Sequence, residues 1–397
     1  MSNRIIFFLV SGFILLTAYS CTEASENGSF TMVLSGSVHG QLDPCGWKKN
    51  PLGGLSRKFV KIQEIRDNGV EPLIVDAGDL FFSTKNIDTK NKNLEMFRAR
   101  SIINGYSKIG YDVINIGHYE VLNGLPFLKE IVKNSDIPFV SANLKDPNAD
   151  TLIFNPYQIV TRGNLDIGVL GVTNLLPDTT KSMSADDYIQ SCIKYSKELS
   201  EKVDIVVALV NATRSDQSKL AEQLPDVDFI VTSGSTNMSR PNSSQKEGGP
   251  FLYSCGKQGK YLLSLDVKIN DASSPFVDVS AEEKKIKNIN KRFERLQKKD
   301  PDKKLEEIYA DQQNVLNLIR KYRDDIQASE SLISSASNTI KFQTTPLNKK
   351  TGEDKELLSF VTSAVKTCNS LAPPQAKRSS KSGKRKKNPD PHAGHNH

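Results

Sequence analysis

Imidazole is scarce in this chain: of 397 residues five are histidine, and His392, His395 and His397 fall within the last six positions. General acid–base or metal chemistry in the folded body therefore has two imidazoles to work with, His39 and His118. His39 lies in Leu34-Ser35-Gly36-Ser37-Val38-His39-Gly40-Gln41-Leu42, just after a short β-rich run. Cys45 and the single tryptophan, Trp47, follow in the next loop. A thiol close to an imidazole can act as a redox group or a soft metal ligand. In an oxidising compartment a structural disulfide or an inert thiol is the more ordinary role. With Cys21 set aside, Cys45, Cys192, Cys255 and Cys368 allow three pairings, and no pair has metal or haem spacing. Pro51-Leu52-Gly53-Gly54-Leu55 leads into a helix with Arg57 and Lys58, and helix starts attract anions. There is no Walker pattern, so close packing of loop on helix is the simpler reading.

Side chains this far apart need a frame that gathers loops. Short apolar runs at Phe30–Leu34, Leu73–Val75, Val113–Ile116, Phe139–Ser141, Ile167–Leu170, Ile205–Val210 and Phe229–Val231 read as strands. Amphipathic stretches at Leu55–Arg66, Leu94–Ile109, Asp187–Lys202 and Gln217–Leu224 read as helices between them. That alternation predicts an α/β domain over residues 30–271. Polar or glycine-rich residues follow five of the runs, at Ser35–Gly40, Asp76–Asp79, Gly117–Glu120, Asn211–Ser215 and Thr232–Asn237. Ligands gather at the carboxyl ends of strands in such sheets, so these five loops are expected to converge.

Beyond Ile269 the pattern changes. Ser280 to Glu283 has the form of a capping box, opening a helix with Ile286, Ile289, Phe293 and Leu296 on one face. Asp300-Pro301 has the form of a second helix start. Leu305, Ile308, Gln312, Val315, Ile319, Tyr322, Ile326, Ser329 and Ile333 then alternate spacings of three and four, a coiled-coil seam. Residues 280–345 are expected to form a helical hairpin, packed on the sheet domain or meeting a protein partner. A shorter helical segment is expected within 346–370, from Lys355. Residues 371–397 are rich in Pro, Ser, Lys and Arg and end in histidines, a composition that cannot bury a core.

At 37% hydrophobic and 25% charged the chain reads as soluble and globular. Residues 1–20 are the exception, with Arg4 before a short apolar run and Ala18-Tyr19-Ser20 before Cys21. The run is too short for a comfortable membrane span and fits a secretory signal. The cysteine directly after it resembles a bacterial lipobox, which would make Cys21 the lipidated N-terminus and residues 21–29 a linker at the cell envelope, on the periplasmic face or the cell surface. The net charge of +7 belongs to the tail, where seven basic residues lie between Lys377 and Lys387 without an acid. Such a tail can meet an anionic surface by charge alone. No aromatic residue is interleaved with it, so specific nucleic-acid binding is not expected.

Taken together, the loops resemble the bacterial 5'-nucleotidase-type branch of the calcineurin-like metallophosphoesterases. Gly36-Ser37-Val38-His39-Gly40 is similar to its Asp-x-His-Gly loop and Val75-Asp76-Ala77-Gly78-Asp79-Leu80 to its Gly-Asp loop. Ile116-Gly117-His118-Tyr119-Glu120 resembles the loop ending Gly-Asn-His-Glu. Val227-Asp228-Phe229-Ile230 followed by Gly234-Ser235-Thr236-Asn237 stands where the family has Gly-His-Thr-His. Pro44-Cys45-Gly46-Trp47 with Gly53-Gly54-Leu55 resembles an exported subgroup, with Trp47 in place of a second cysteine or selenocysteine. The resemblance implies a layered α/β sandwich, here followed by the helical hairpin. It also implies two divalent metals that clamp the attacking and leaving oxygens of a phosphate ester. Of the ligands it implies, His39 and Asp79 are kept, while Ser37, His118, Tyr119, Asn211, Ser235 and Asn237 are substitutions. His39, Asp79 and His118 remain, enough for one divalent metal ion or none, and too few for a two-metal clamp. The expectation is an exported lipoprotein whose phosphoesterase site has degenerated and which acts by binding or scaffolding. The alternative is a hydrolase using a reduced, single-metal site at those three residues.

Overall fold

The computed structural model describes residues 28–46, 49–177, 182–243 and 245–373. The expected signal segment, Cys21, Trp47 and the tail beyond residue 373 lie outside the described residues. In chain order the strands are β1 (Gly28–Ser35), β2 (Leu73–Asp76), β3 (Val113–Asn115), β4 (Phe139–Val140), β5 (Leu144–Asp146), β6 (Thr151–Leu152), β7 (Tyr157–Arg162), β8 (Leu165–Thr173), β9 (Ser184–Ala185), β10 (Ile205–Asn211), β11 (Phe229–Ser233), β12 (Phe251–Ser254), β13 (Tyr261–Ile269), β14 (Phe276–Asp278) and β15 (Asn338–Pro346). The helices are α1 (Leu55–Asp67), α2 (Lys92–Ile109), α3 (His118–Val121), α4 (Leu125–Lys133), α5 (Tyr188–Ser200), α6 (Arg214–Gln217), α7 (Leu220–Gln223), α8 (Ser280–Gln297), α9 (Leu305–Ile308), α10 (Gln313–Ser335) and α11 (Lys355–Leu371).

Two sheets carry the fold, one of seven strands in the order β14-β15-β13-β1-β2-β3-β4 and one of five in the order β12-β11-β10-β8-β7. β5, β6 and β9 form a small third sheet. Successive side chains on a strand face opposite ways, and β1 uses both faces. Its Met32 and Leu34 join Val75, Val169, Val207, Leu209, Val231 and Leu265 in the core between the sheets. Its Val33 turns outward to a second core with Ile74, Ile102, Tyr106 and Leu357, beneath α1, α2 and α11. Leu170, Val206, Ala208 and Ile230 do the same on the far side, against Cys192 and Leu199 of α5. The result is a four-layer sandwich in which β1 pairs parallel with β2 and antiparallel with β13.

Where the two sheets cross, side-chain room vanishes. A Cβ on Gly171 of β8 would stand 2.3 Å from Asn115 Oδ1 and 2.8 Å from Val140 Cγ2. Asn115 is fully buried and its amide donates to Ala77 O and Val172 O, so it has nowhere to go. Gly171→Ala is expected to lower unfolding stability by about 1–2 kcal/mol through overpacking, read as a reduced urea midpoint with unchanged slope.

The segment after Ile269 differs from the sequence-based expectation. Residues 338–346, expected to close the hairpin, form β15, which enters the seven-stranded sheet between β13 and β14. Its Ile340 and Phe342 face the inter-sheet core, so the sheet is completed by residues far outside 30–271. α11 likewise packs on α1 and α2 as part of the outer layer. The hairpin proper is α8 against α10, with Ile289 and Ile319 buried and the Phe293 and Tyr322 rings 5.9 Å apart. The long seam is not one helix: it breaks after Ile308, where the Tyr309 hydroxyl donates to Leu296 O at 3.0 Å, and resumes at Gln313. The capping box does not form either. Ser280 sits inside α8, where its hydroxyl accepts the Phe342 N–H at 2.7 Å and ties the helix to β15.

Candidate functional site

The carboxyl ends of β1, β2, β3, β10 and β11 point to one end of the sandwich, and the loops that follow them are stitched together there. Ser37 N–H donates to Gly78 O and His39 N–H to Asp79 O, each at 2.9 Å. Gly234 N–H reaches Ser37 Oγ at 3.0 Å, and Ser233 Oγ donates to Ala77 O at 2.6 Å. The backbone is strained at three of the positions: Ser37, His39 and Asp79 have φ of 51°, 54° and 60°. Left-handed conformations of this kind persist in non-glycine residues only where the surroundings enforce them.

Glu120 does much of that enforcing. Its buried carboxylate accepts four backbone N–H groups, from Asp79 at 2.9 Å, Leu80 at 2.6 Å, Phe81 at 3.2 Å and Gly117 at 2.8 Å. Burial, and then the charge of Asp79, raise its carboxyl above the ordinary range, while the Leu80 and Asp79 N–H groups pull it down. Asp76 is fully buried beside it and accepts from Gly78 N–H and Tyr106 Oη, each at 2.9 Å. Burial pushes its carboxyl up to about 6, against the nearby charge of Lys58. Lys58 is itself buried beneath the first loop, donating to Ser35 Oγ at 3.0 Å and Tyr111 Oη at 2.9 Å beside the stacked Tyr106 and Tyr111 rings. The sequence reading named Lys58 only as part of an anion-attracting helix start, and missed both its buried place beneath the first loop and the organising role of Glu120. The spacing Gly117 to Glu120, three residues across a helix start, was the available signal for the latter.

The three residues expected to hold a metal lie on these stitched loops. Asp79 Oδ1 accepts the Tyr119 N–H at 3.2 Å, next in sequence to His118. The Tyr119 ring packs on both imidazoles, with centroids 4.4 Å from His39 and 5.8 Å from His118. His118 Nδ1 is 2.6 Å from Leu175 O, an acceptor only, so in the neutral ring Nδ1 is the donor and Nε2 bears the lone pair. His39 Nδ1 is buried without a partner. Burial, then the charges of Lys85 and Lys257, lower the His39 imidazole to about 4. Burial raises the carboxyl of Asp79, opposed by the Tyr119 N–H and the Asn211 amide.

These residues do not fit a two-metal centre. Asn211 stands where the family has histidine, and both ends of its amide are in use. Its Oδ1 accepts the His118 N–H and the Thr173 hydroxyl, each at 3.0 Å. A backbone N–H can only donate, so the orientation of the amide is settled, with Nδ2 donating to Ser233 Oγ at 2.7 Å and Oδ1 accepting two bonds. The carbonyl oxygen that could have replaced the histidine as a ligand is therefore already spent on two donors. Ser37 Oγ is taken by Gly234 N–H, and Ser235 Oγ donates to Gln217 Oε1 at 2.9 Å. Among the described residues no group of three or more His, Cys, Asp or Glu side chains is arranged to hold a metal ion.

Nor is there a disulfide among them: Cys45, Cys192, Cys255 and Cys368 are free thiols. Burial raises the Cys45 thiol, outweighing the Lys260 and Lys257 charges, and pushes Cys192 up to about 12. High thiol values disfavour the thiolate on which redox chemistry depends.

No protein-family model matches the chain. It is 26% identical to snake venom 5'-nucleotidase of Naja atra over 279 residues, covering 62% of this chain and 51% of that protein. The corresponding enzyme of Gloydius brevicauda is 26% identical over 246 residues, covering 55% and 40%. A probable 5'-nucleotidase of Treponema pallidum is 24% identical over 251 residues, covering 59% and 41%. The chain thus spans about half the length or less of these curated relatives. Among solved structures, the 5'-nucleotidase precursor of Thermus thermophilus superposes with a TM-score of 0.61 at 17% identity, covering 86% of this chain and 59% of that one. The calcineurin-like phosphoesterase YfkN of Bacillus subtilis gives 0.58 at 16% identity, covering 87% and 99%. In sequence the chain is similar to 5'-nucleotidases at about a quarter identity, and its fold is that of the 5'-nucleotidase and calcineurin-like phosphoesterase structures.

Proposed function

We propose that this protein is an exported lipoprotein, anchored through Cys21, whose 5'-nucleotidase-like domain works by binding or scaffolding and not by two-metal phosphoester hydrolysis. One observation carries the reading: the Asn211 Oδ1 that would have to stand in for a histidine ligand is already committed to the His118 N–H and the Thr173 hydroxyl. Hydrolysis of that kind needs a metal-held hydroxide and a second cation on the leaving oxygen. The neutral side chains at Ser37, Asn211, Ser235 and Asn237 supply no negative charge to hold two cations. The stitched loops instead present a rigid, partly cationic surface, with Lys85 and Lys257 near a neutral His39.

A second reading rests on two free nitrogens. His39 Nδ1 has no partner, and His118 Nε2 keeps its lone pair, so a single divalent ion with Asp79 would have two imidazoles and a carboxylate to meet. Metal content separates the readings. Residues 22–373, which include every described element but not the histidine-ended tail, are expected to retain no divalent ion after dialysis, with or without Asp79→Asn. One tightly held ion per chain, lost in Asp79→Asn, would establish the second reading. Metal-dependent phosphoester turnover abolished by the same substitution would then follow.

A further inference from the structure

The charge of this chain is unevenly placed along its sequence. The whole chain carries +7, the tail from Lys377 to Lys387 carries +7, and residues 284–299, with eight basic side chains and one acid, carry another +7; everything else nets −7. Those sixteen residues are α8 and its exit. Basic residues on α8 divide by direction. Lys285, turned to the hairpin seam, lies 3.6 Å from Asp325, and on the flanking strand Lys341 pairs with Glu283 at 2.9 Å. Lys284, Lys287, Lys291 and Arg295, continued by Lys298 at the helix end, are exposed and form no ion pair among the described residues. Spacings of 3, 4, 4 and 3 put them within about 80° of one another around the helix and along about 21 Å of its length. No acidic residue falls in that sector. From the packed elements, the groups facing it are Lys341 and the neutral Asn242, whose Oδ1 lies 3.4 Å from Lys284 Nζ.

An unpaired stripe of this kind costs self-repulsion, which an anionic partner would relieve. Beside it runs a groove of about 330 Å³ between α8 and β15, lined by Lys284, Lys287, Lys291, Lys341 and Phe342, with one carboxylate, Glu283, which is paired with Lys341. Of the hairpin's aromatic side chains, Phe293 and Tyr322 face each other in the seam and Tyr309 is tied to Leu296 O, so none falls within the stripe to stack on bases. A fixed row of cations spaced a helical turn apart, with an acidic remainder to be held away, suits a planar array of anionic headgroups.

We propose that the outer face of α8 docks the folded domain onto an anionic phospholipid surface, with headgroup phosphates seated between the helix and β15. The orientation that results is set by the body of the protein, independently of any N-terminal lipid and of the basic tail. The test uses the chain from Thr22 onward, free of signal and acyl group, with vesicles of phosphatidylcholine alone or mixed with phosphatidylglycerol. The expected result is sedimentation with the anionic vesicles only, weakened by salt. Lys287→Gln/Lys291→Gln/Arg295→Gln should reduce partitioning roughly a hundred-fold. Lys129→Gln/Lys133→Gln/Lys219→Gln, at exposed positions on or beside other helices, should change it less than about two-fold. An unchanged melting temperature keeps the α8 variant interpretable. Equal partitioning of the two triple variants would assign the attraction to the tail and overturn the proposal. Binding to a soluble anionic glycan without binding to vesicles would overturn it as well.

Discussion

Glu120→Ala is expected to destabilise the protein by about 3–5 kcal/mol, the largest loss of any single substitution in the loop cluster. The reason is multiplicity. One carboxylate satisfies the N–H groups of Asp79, Leu80, Phe81 and Gly117, all of them buried. Each stranded donor costs about 1–3 kcal/mol, and relief of repulsion with buried Asp79 and Asp76 offsets part of the sum. Glu120→Gln is the sharper comparison. Its carbonyl oxygen serves two of the four donors, but its NH2 group faces the other two, so it should recover less than half of the loss. Chemical denaturation at neutral pH reads both variants. A loss below about 1 kcal/mol for alanine would mean that the strained Asp79 backbone is held by something else. The result bears on function, because a site held together by its own carboxylate needs no metal to keep its shape.

Asp228→Asn should have the opposite sign, raising stability at pH 7 by about 2–3 kcal/mol. Asp228 opens β11, and its Oδ2 accepts the Val206 N–H at 2.8 Å. Burial pushes its carboxyl up to about 6, and that single N–H is the only opposing influence. Below the unfolded-state value near 4 both states are protonated and the group contributes nothing. As pH rises through 6 the unfolded chain ionises first, so the wild-type protein loses stability across that window. Asparagine keeps an acceptor for Val206 and cannot ionise. The gap between the two proteins should therefore open between pH 4 and 6 and stay constant above. Parallel stability curves over that range would show that Asp228 titrates normally in the fold.

Much of the architecture could be read from local pattern. Seven apolar runs became strands within a few residues of their expected bounds, since a run such as Ile205–Val210 has no other way to bury six apolar side chains. Convergence of the five loops followed from the parallel strands that precede them. β15 was hidden because its half-buried alternation directly follows a helical seam, and only pairing with β13 and β14 distinguishes it. The break after Ile308 was hidden for a related reason: a seam records which side chains prefer company, not where the chain must turn to supply it.

For the site, residue identity alone established the inventory: two imidazoles in the body, one carboxylate at the bridging position, and neutral side chains where further ligands would stand. Tertiary structure decided what those side chains do. Whether Asn211 offers a free carbonyl oxygen or spends it within the fold depends on the His118 N–H, which is 93 residues away in sequence. That Glu120 gathers four N–H groups depends on β2 and β3 ending side by side. The sign of α8 is legible in its residues, but whether its cations are paired is not. Hydrogen bonding and charge pairing are set by neighbours in space, and a one-dimensional pattern reports only neighbours along the chain.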